Sequence, residues 1–195
     1  MLIRRIEANF SNRYRGGIDY EWTDLENVPK FFLQCVWVTE DARFFDHDGI
    51  DWKEVEAAKE RAERTGKPVR GASTITMQCA RSLFLWQGRS YIRKGLEIYY
   101  TVLMEQILPK HRILELYANV IEMGDGVYGI GAASRHYYGV APTKLNEAQC
   151  AMLAVMLPNP RGWDPRTPST KLLARQKRAL RDHWKDRFPS GIGRP

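Results

Sequence analysis

The sequence has few cysteines and no long apolar run, and both shortages limit what the protein can be. Its 195 residues include three cysteines, too few for a disulfide framework, and no Cys-x-x-Cys pair or His/Cys cluster indicates a zinc site. The longest apolar stretches, near residues 31–38 and 151–157, fall short of the roughly 20 residues that a membrane-spanning helix needs. The first residues also lack an apolar segment of signal-peptide length. We therefore expect either a cytoplasmic protein or a chain whose targeting segment is not part of this sequence.

Internal repeats and low-complexity tracts are also absent, and the composition is that of a folded protein. Apolar residues make up 44% of the chain and charged residues 27%, which is too apolar for disorder. The length suits one domain, with room for two lobes and a buried core. Period-two alternation is scarce, whereas helical spacing recurs, so the sequence predicts a mainly α protein.

The net charge of +7 is concentrated in two basic blocks. Residues 61–94 and residues 161–195 each carry a net charge of +7, whereas residues 1–60 carry −5 and residues 95–160 carry −2. Basic blocks attract polyanions such as nucleic acid, anionic lipid headgroups or a diphosphate. A solvated face that keeps the protein in solution explains such a charge run equally well.

Apolar spacing and helix-ending residues predict helices along most of the chain. The predicted helical segments are 51–64, 74–84 (capped by Ser73 or Thr74), 91–108, 111–123, 145–157 and the basic segment 169–187. Residues 30–39 fit either a buried helix or a strand. Residues 1–28 are predicted to be an extended N-terminal segment and residues 126–131 a turn-rich link.

Three polar clusters contain residue types suited to catalysis or anion binding. The first, residues 40–49, places carboxylates beside aromatic rings and a histidine, where desolvation would make a carboxylate a better base; a solvated helix end has the same composition. The second, residues 71–78, is a glycine followed by hydroxyl residues at a helix start, which suits an anionic oxygen or an ordinary cap. The third, residues 89–97, is a cationic stretch with one carboxylate, suited to a phosphate or to a surface salt bridge.

The order and spacing of these clusters resemble the five motifs of the peptidoglycan glycosyltransferase family. The motifs are Glu-Asp-x-x-Phe-x-x-His-x-Gly from residue 40, Gly-Ala-Ser-Thr-Ile-Thr-x-Gln from 71, Arg-Lys-x-x-Glu from 93, Lys-x-x-Ile-Leu-Glu-x-Tyr-x-Asn from 110 and Gly-Ile-x-Ala-Ala-x-x-x-Tyr-Tyr-Gly from 129. The resemblance covers about residues 29–160, and the segment 84–97 is most similar to monofunctional biosynthetic members. It divides the chain into the N-terminal segment 1–28, the glycosyltransferase core 29–160 and the basic helical tail 161–195 of the same domain.

The resemblance implies a mainly α, lysozyme-like, two-lobed fold and a defined reaction. Family members polymerise lipid II into β-1,4-linked glycan strands, with inversion at C1 of the donor MurNAc and release of undecaprenyl diphosphate. The implied location is the periplasmic face of the cytoplasmic (inner) membrane, without a transmembrane anchor in this chain. The implied partners are lipid II, the growing glycan on undecaprenyl diphosphate, the membrane surface and, as candidates, cell-wall synthesis or division proteins, but not nucleic acid. Ser-x-x-Lys and Lys-Thr-Gly are absent from the sequence, which predicts an enzyme without transpeptidase activity.

The resemblance also assigns roles to individual residues. Glu40 matches the catalytic base, and Glu97 matches the second essential carboxylate, which either orients cations or binds a divalent ion such as Mg²⁺ or Mn²⁺. The implied substrate-binding residues are Ser73, Thr74, Gln78, Arg81, Arg89, Arg93, Lys94 and Lys110, and the implied supporting residues are Asp41, His47, Tyr117 and Asn119. Met77 stands where the family usually has a glutamine, Arg81 where a lysine is usual and Ala118 where a leucine is usual.

Two other functions compete with this interpretation. A lysozyme-like peptidoglycan hydrolase also uses a glutamate in a sugar cleft, but it has no diphosphate to bind with a cationic motif. A nucleic-acid-binding module fits the basic blocks but leaves Glu40 and Glu97 without a role. The apolar residues Phe84, Leu85 and Trp86 fit either a membrane interface or the protein core.

Overall fold

The computed structural model describes residues 17–69, 71–86, 88, 90–182, 188–190 and 192. Within these residues the chain forms eight α-helices and three short strands, which confirms the mainly α prediction. The helices are α1 (Lys30–Glu40), α2 (Trp52–Thr65), α3 (Ile75–Phe84), α4 (Tyr91–Ile107), α5 (Lys110–Val120), α6 (Gly129–Tyr138), α7 (Glu147–Val155) and α8 (Thr170–Asp182), and the strands are β1 (Asp19–Tyr20), β2 (Glu122–Gly124) and β3 (Val127–Tyr128). None of the helices in this described part of the chain combines the length and apolar content needed to cross a membrane.

The ambiguous apolar segment at residues 30–39 is helix α1. It packs against both α7 and α8, and its buried residues are Phe32, Leu33, Cys35, Val36 and Trp37. Residues 32, 33, 36 and 37 follow the spacing of one helical face, and Cys35 widens that face. A strand would bury alternate residues instead. Because both α7 and α8 pack against this segment, it buries one wide helical face.

Two sequence predictions are wrong around residues 120–131. Helix α5 ends at Val120 rather than at residue 123, because the chain turns into strand β2. The predicted turn-rich link contains strand β3 and the first residues of helix α6. The glycines of this segment are typical of turns, so the sequence did not predict the helix. At Gly131 a Cβ atom would lie 2.4 Å from the carbonyl oxygen of Glu21, which explains the glycine at that position.

A three-stranded sheet attaches the N-terminal segment to the rest of the fold. The strand order is β1-β3-β2, with β1 parallel to β3 and β2 antiparallel to β3. Asn119, at the end of α5, reinforces this attachment, because its side chain accepts from Thr23 N at 2.7 Å and donates to Thr23 O at 2.8 Å. The described part of the segment predicted as extended, residues 17–28, is thus held by backbone pairing and by one buried amide, and residues 1–16 lie outside the described residues.

The helices pack in two groups that meet near the end of α1. Helices α1, α7 and α8 pack on one another, whereas α3 packs against α4 and α5. The basic segment predicted at 169–187 forms α8 over Thr170–Asp182, and residues 183–187 lie outside the described residues. Because Glu40 is the last residue of α1, its side chain lies where α3 and α8 approach each other.

Candidate active site

Glu40 is held at the end of α1 by a hydrogen bond from α3. The Nε2 atom of Gln78 donates to Oε2 of Glu40 at 3.0 Å. Burial raises the pKa of Glu40, whereas the Gln78 hydrogen bond and the charges of Arg175 and Arg81 oppose that rise. A carboxylate whose pKa is raised, and which also accepts a hydrogen bond from an amide, suits a general base.

Gln78 is itself fixed by a third residue. The hydroxyl of Tyr117 donates to Oε1 of Gln78 at 3.2 Å, so the amide accepts at one end and donates to Glu40 at the other. Tyr117 is fully buried, and burial, together with the nearby Glu40 charge, raises its pKa well above the ordinary value. Tyr117 therefore stays a protonated donor and sets the direction in which Gln78 points.

Asp41 and His47 form a buried pair that connects the first motif to α3. His47 Nε2 lies 3.1 Å from Oδ1 of Asp41, and the backbone N–H of Gly49 donates to His47 Nδ1 at 3.1 Å. Nδ1 is thus an acceptor and Nε2 carries the proton directed at Asp41. Asp41 also accepts from the backbone N–H of Ile75 at 3.0 Å, which ties the start of α3 to the end of α1.

Thr74 and Lys110 are both engaged in this same supporting network. The Thr74 hydroxyl donates to the carbonyl of Gly49 at 2.6 Å and caps α3 by accepting from the backbone of Met77. Lys110 Nζ donates to the His47 carbonyl at 2.6 Å and to Glu105 at 2.9 Å, and it lies 4.4 Å from the centroid of the Phe44 ring. The structure therefore places Thr74 and Lys110 beside the first motif and outside the lining of the cationic pocket.

A pocket of about 1040 Å³ lies between α2, α3 and α4. Its polar and charged lining residues are Ser73, Arg81, Ser90, Arg93, Lys94 and Glu97, and its large apolar lining residues are Ile50, Trp52, Val55, Val69, Met77, Tyr91 and Ile98. The combination of fixed cations and an apolar wall suits an anionic group carried on an apolar chain. Arg81 connects this pocket to Glu40, since it lines the pocket and its charge opposes the rise in the pKa of Glu40.

Glu97 anchors the cations of the pocket. The carboxylate is 1% exposed; Oε2 accepts from Arg93 Nη1 at 3.0 Å and Oε1 accepts from Lys94 Nζ at 2.7 Å. The Nε of Arg93 is buried and has no hydrogen-bond partner among the described residues. Arg93 therefore keeps an unused N–H while its far end is held by Glu97.

The carboxylates of this region already have partners within the protein. Each oxygen of Glu97 accepts from a cationic group, so a metal ion there would compete with Arg93 and Lys94. Asp41, His47 and Asp51 bring potential ligand atoms within 4.8 Å of one another. Each already has other partners: His47 pairs with Asp41, Asp41 accepts from the α3 backbone, and Asp51 caps α2 at Glu54 N. We assign this trio to folding.

The predicted site residues thus divide into three sets. Glu40 and Gln78 lie together at the end of α1, while Ser73, Arg81, Arg93, Lys94 and Glu97 line the pocket. Of the supporting residues, Tyr117 contacts Gln78, Asp41 binds His47 and the start of α3, and Asn119 holds the N-terminal segment. Arg89 lies outside the described residues.

Some residues of this region were not predicted from the sequence, because they lie outside the motifs. Trp52 and Tyr91 line the pocket although neither was singled out. Arg175, from the basic tail, acts on Glu40 and stacks over Trp163. A helical-wheel view of residues 172–179 gives a signal for Arg175, because it places the arginine between Leu172 and Ala179 on one face.

Comparison with known protein sequences finds a matching family and several similar relatives. The profile of one family, described as Transglycosylase, matches residues 8–183. A relative from Bdellovibrio bacteriovorus is 42% identical over 180 residues, covering 92% of this chain and 71% of the relative. One from Brucella suis is 44% identical over 156 residues (80% and 69%), and one from Xanthomonas campestris is 43% identical over 186 residues (92% and 75%). All three are called "Biosynthetic peptidoglycan transglycosylase".

Proposed function

The chain belongs to the transglycosylase family and is a peptidoglycan glycosyltransferase, and from this premise we propose that it polymerises lipid II with inversion at the anomeric carbon. The observation that carries the proposal is the pairing of a buried, hydrogen-bonded glutamate with a pocket of anchored cations. Glu40 supplies the base, and the Arg93–Lys94–Glu97 cluster supplies fixed positive charge. Both are needed by a reaction that joins a hydroxyl to a sugar carbon and expels a diphosphate.

In the proposed step, the 4-hydroxyl of the GlcNAc in the acceptor lipid II attacks C1 of the donor MurNAc. The bond from C1 to the diphosphate oxygen breaks with its electron pair, and undecaprenyl diphosphate leaves from the face opposite the attack. Glu40 takes the hydroxyl proton, a role worth typically ~10²–10⁴-fold in rate. Attack opposite the leaving group gives the β-1,4 linkage from an α-linked donor.

The cationic pocket is proposed to receive the departing diphosphate. Arginine forks bind phosphate oxygens in pairs, and Arg93 lines this pocket. Arg81 and Ser73 line the same pocket and add a charge and a hydroxyl donor. Placed donors and charges of this kind contribute about 10²–10³-fold each when aimed at charge that develops in the transition state. Arg89 stays a predicted contact of this group.

The supporting residues act through the base rather than on the substrate. We assign Gln78 to the orientation of Glu40, Tyr117 to the orientation of Gln78, and Asp41 with His47 to the connection between α1 and α3. Lys110 and Thr74, first predicted as substrate contacts, fit better as positioning residues, because their polar atoms are used within the protein. Asn119 supports the site at a distance by holding the N-terminal segment.

The apolar residues around the start of α4 support contact with the membrane that carries the substrate. Tyr91 is 97% exposed, Ile92 is 76% exposed and Tyr99 is 60% exposed. Phe84 and Trp86 are also exposed, whereas Leu85 is buried, so two of the three residues predicted as membrane contacts are available. Exposed aromatic and aliphatic side chains beside cations suit a lipid interface. The proposed location is the periplasmic face of the inner membrane, where cell-wall synthesis or division proteins stay candidate partners.

Incubation with lipid II, with and without Mg²⁺ or Mn²⁺, tests the proposal. We expect β-1,4-linked glycan, one undecaprenyl diphosphate per bond formed, and no cross-linking of stem peptides, since the sequence has no transpeptidase motifs. Glu40→Gln should bind lipid II and form no polymer. Cleavage of preformed peptidoglycan without polymer would establish the hydrolase alternative, and steeply salt-dependent DNA binding without polymer would establish the nucleic-acid alternative.

A further inference from the structure

Helix α4 carries a buried polar stripe on its inward face. Glu97, Thr101 and Glu105 recur at every fourth residue, a spacing that places side chains on one face of a helix. Glu97 is 1% exposed, Thr101 is fully buried and the side chain of Glu105 is 6% exposed. At a rise of about 1.5 Å per residue, the two glutamates are about 12 Å apart along the helix. Glu97 lines the cationic pocket, whereas Glu105 lies toward the other end of α4 and has no role in the proposed step.

Glu105 accepts a hydrogen bond from each of two helices beside α4. The hydroxyl of Thr76, in α3, donates to Oε1 of Glu105 at 2.5 Å, and Nζ of Lys110, at the start of α5, donates to it at 2.9 Å. Thr76 is fully buried. A buried ion pair is costly in desolvation, and well-packed apolar side chains often give equal or greater stability. What the polar contacts add is direction, because each donor must point at a carboxylate oxygen.

The first motif, residues 40–49, packs closely against this end of α4. A Cβ atom at Gly49 would lie 2.7 Å from Cγ2 of Thr101 and 2.9 Å from Cγ of Glu105. Only a glycine allows the backbone of the motif to come this near to the helix. A change in the position of the Glu105 side chain would therefore be felt by the motif directly.

Lys110 extends the contact from Glu105 to the residue that follows the proposed base. Its Nζ also donates to the His47 carbonyl at 2.6 Å, and the His47 ring lies 3.1 Å from Oδ1 of Asp41. Asp41 directly follows Glu40 in the chain. Each step from Glu105 to the end of α1 is thus a hydrogen bond or a peptide bond.

A second path of contacts leads from Glu105 to the base through α3. Thr76 stands two residues before Gln78 in that helix, and Gln78 donates to Oε2 of Glu40 at 3.0 Å. A shift of α3 relative to α4 would therefore move the donor that orients Glu40.

The proposed reaction depends on the separation between the base and the cationic pocket. Attack and departure take place on opposite sides of one carbon atom, so both groups must be in place at the same moment. Glu40 belongs to α1, whereas Arg93, Lys94 and Glu97 belong to α4. A misplacement of about 1 Å can cost about 10²-fold in rate, so the position of α4 relative to Glu40 has to be fixed.

We propose that Glu105 is a positioning residue of the reaction: its bonds to Thr76 and Lys110 fix α4, which carries the cationic pocket, against α3, which orients Glu40, and against the first motif, which contains it. Helix α4 then sets the spacing between the base and the departing diphosphate, with one buried glutamate toward each end. The inference rests on the proposed function, because that function assigns the two groups whose separation is at issue.

Two substitutions at Thr76 separate the effect of its hydroxyl from that of its methyl group. Thr76→Val keeps the shape and removes the donor to Glu105, whereas Thr76→Ser keeps the donor and removes the methyl group. We expect Thr76→Val to lower kcat by about 10²-fold with KM for lipid II unchanged, and Thr76→Ser to keep nearly the wild-type kcat. If Thr76 only fills space, Thr76→Ser should lose at least as much activity as Thr76→Val, and the inference is wrong.

Glu105→Gln tests whether the hydroxyl acts through the carboxylate. The amide keeps the size of the side chain but removes the charge that pairs with Lys110, so we expect kcat to fall with KM unchanged. Because Thr76 and Glu105 share one bond, adding Thr76→Val to Glu105→Gln should lower kcat little further. Losses that multiply in the double variant would contradict the inference.

Pulsed EPR measures the spacing itself without relying on turnover. Spin labels on Ala42→Cys, in the first motif, and Gln106→Cys, on α4, occupy exposed positions. We expect the distance distribution between them to be broader in Thr76→Val than in the wild type, and to be restored in Thr76→Ser. An unchanged distribution in Thr76→Val would overturn the inference whether or not the chain makes polymer. A wild-type chain that makes no polymer would instead refute the proposed function, and the distance measurement distinguishes the two cases.

Leu153→Ala is the matched control for a general loss of stability. Leu153 is fully buried in α7, outside this network, so the substitution should lower Tm and leave kcat and the distance distribution at their wild-type values. A kcat that falls in step with Tm in every variant, this control included, would reduce Glu105 to a structural role and overturn the inference. If Thr76→Val does not fold, Glu105→Gln decides alone, and a wild-type kcat in that variant would count against the inference.

Discussion

The side chains of Gln78 and Glu40 meet at 3.0 Å although 38 residues separate them in sequence. The contact joins the start of one helix to the end of another, and Tyr117 fixes the amide from its far side. The direction of the Glu40 side chain is thus set by one residue of α3 and, through it, by one residue of α5.

Replacing Gln78 by leucine should shift the pH dependence of the reaction. The variant Gln78→Leu keeps the volume but removes the donor to Glu40, so the pKa of Glu40 should rise. We expect the acid limb of kcat/KM to move up by about one unit, since a hydrogen bond to a charged group is worth about 1.5–3 kcal/mol. Gln106→Leu, on the exposed surface of α4, is the matched control and should leave the limb in place. A limb unmoved in Gln78→Leu would show that the amide does not act on Glu40.

Glu40→Gln should stabilise the fold while it abolishes polymerisation. Burial raises the pKa of Glu40, so its contribution to stability is fully present below the ordinary glutamate pKa and is lost as pH rises through the folded-state value. The variant removes a buried charge, and we expect its Tm to exceed that of the wild type at pH 8 and to match it at pH 4. Thermal unfolding followed by circular dichroism measures both. A difference that shrinks as pH rises would contradict the expected sign.

Glu97→Gln should weaken the cationic pocket more than the fold. The amide cannot hold both Arg93 and Lys94 as the carboxylate does, and a misplacement of about 1 Å costs about 10²-fold. We expect kcat/KM for lipid II to fall by about that factor. Glu54→Gln, which breaks the exposed pair between Glu54 and Arg61, is the matched control and should change turnover little, because surface pairs contribute about 0–1 kcal/mol. Comparable losses in both variants would argue against a special role for Glu97.

Lys110→Met distinguishes a positioning lysine from a diphosphate ligand. The structure connects Lys110 to the His47 carbonyl and to Glu105, so we expect lower stability by about 1–3 kcal/mol and a lower kcat, with KM for lipid II nearly unchanged. Denaturant unfolding and initial-rate kinetics measure the two effects. A large rise in KM with normal stability would instead support the role that the motif resemblance first assigned to Lys110.

Met77→Gln should leave polymerisation unchanged or raise it. Met77 lines the cationic pocket and is 4% exposed, and a polar side chain of similar length would add a donor where the family usually has a glutamine. Met77→Leu, which conserves volume, is the control and should behave like the wild type. Initial rates over a range of lipid II concentrations measure the effect. A severe loss in Met77→Gln would mean that the second motif is aligned incorrectly.

Most of the helices could be predicted because their signals are local. Helices α2, α3, α4 and α7 were expected within a few residues of their observed ends, since apolar spacing and capping residues are read along a short segment. Thr74, rather than Ser73, caps α3. Helix α6 was missed because its glycines match the signals of a turn; the close approach of the Asn119 backbone explains Gly129, and that of Glu21 explains Gly131.

The sequence by itself determined the family and the mainly α class, and it predicted roles for Glu40 and Glu97, because ordered motifs and helical periodicity are properties of the chain. Only the tertiary structure decided which predicted residues contact the pocket and which support it. Lys110 and Arg81 are both basic residues within or beside a motif, yet packing turns the first toward His47 and the second into the pocket. The charge of Arg175, 135 positions further along the chain, opposes the rise in the pKa of Glu40, and α8 packs on α1. Side-chain partners of this kind depend on how helices pack, which no local pattern contains.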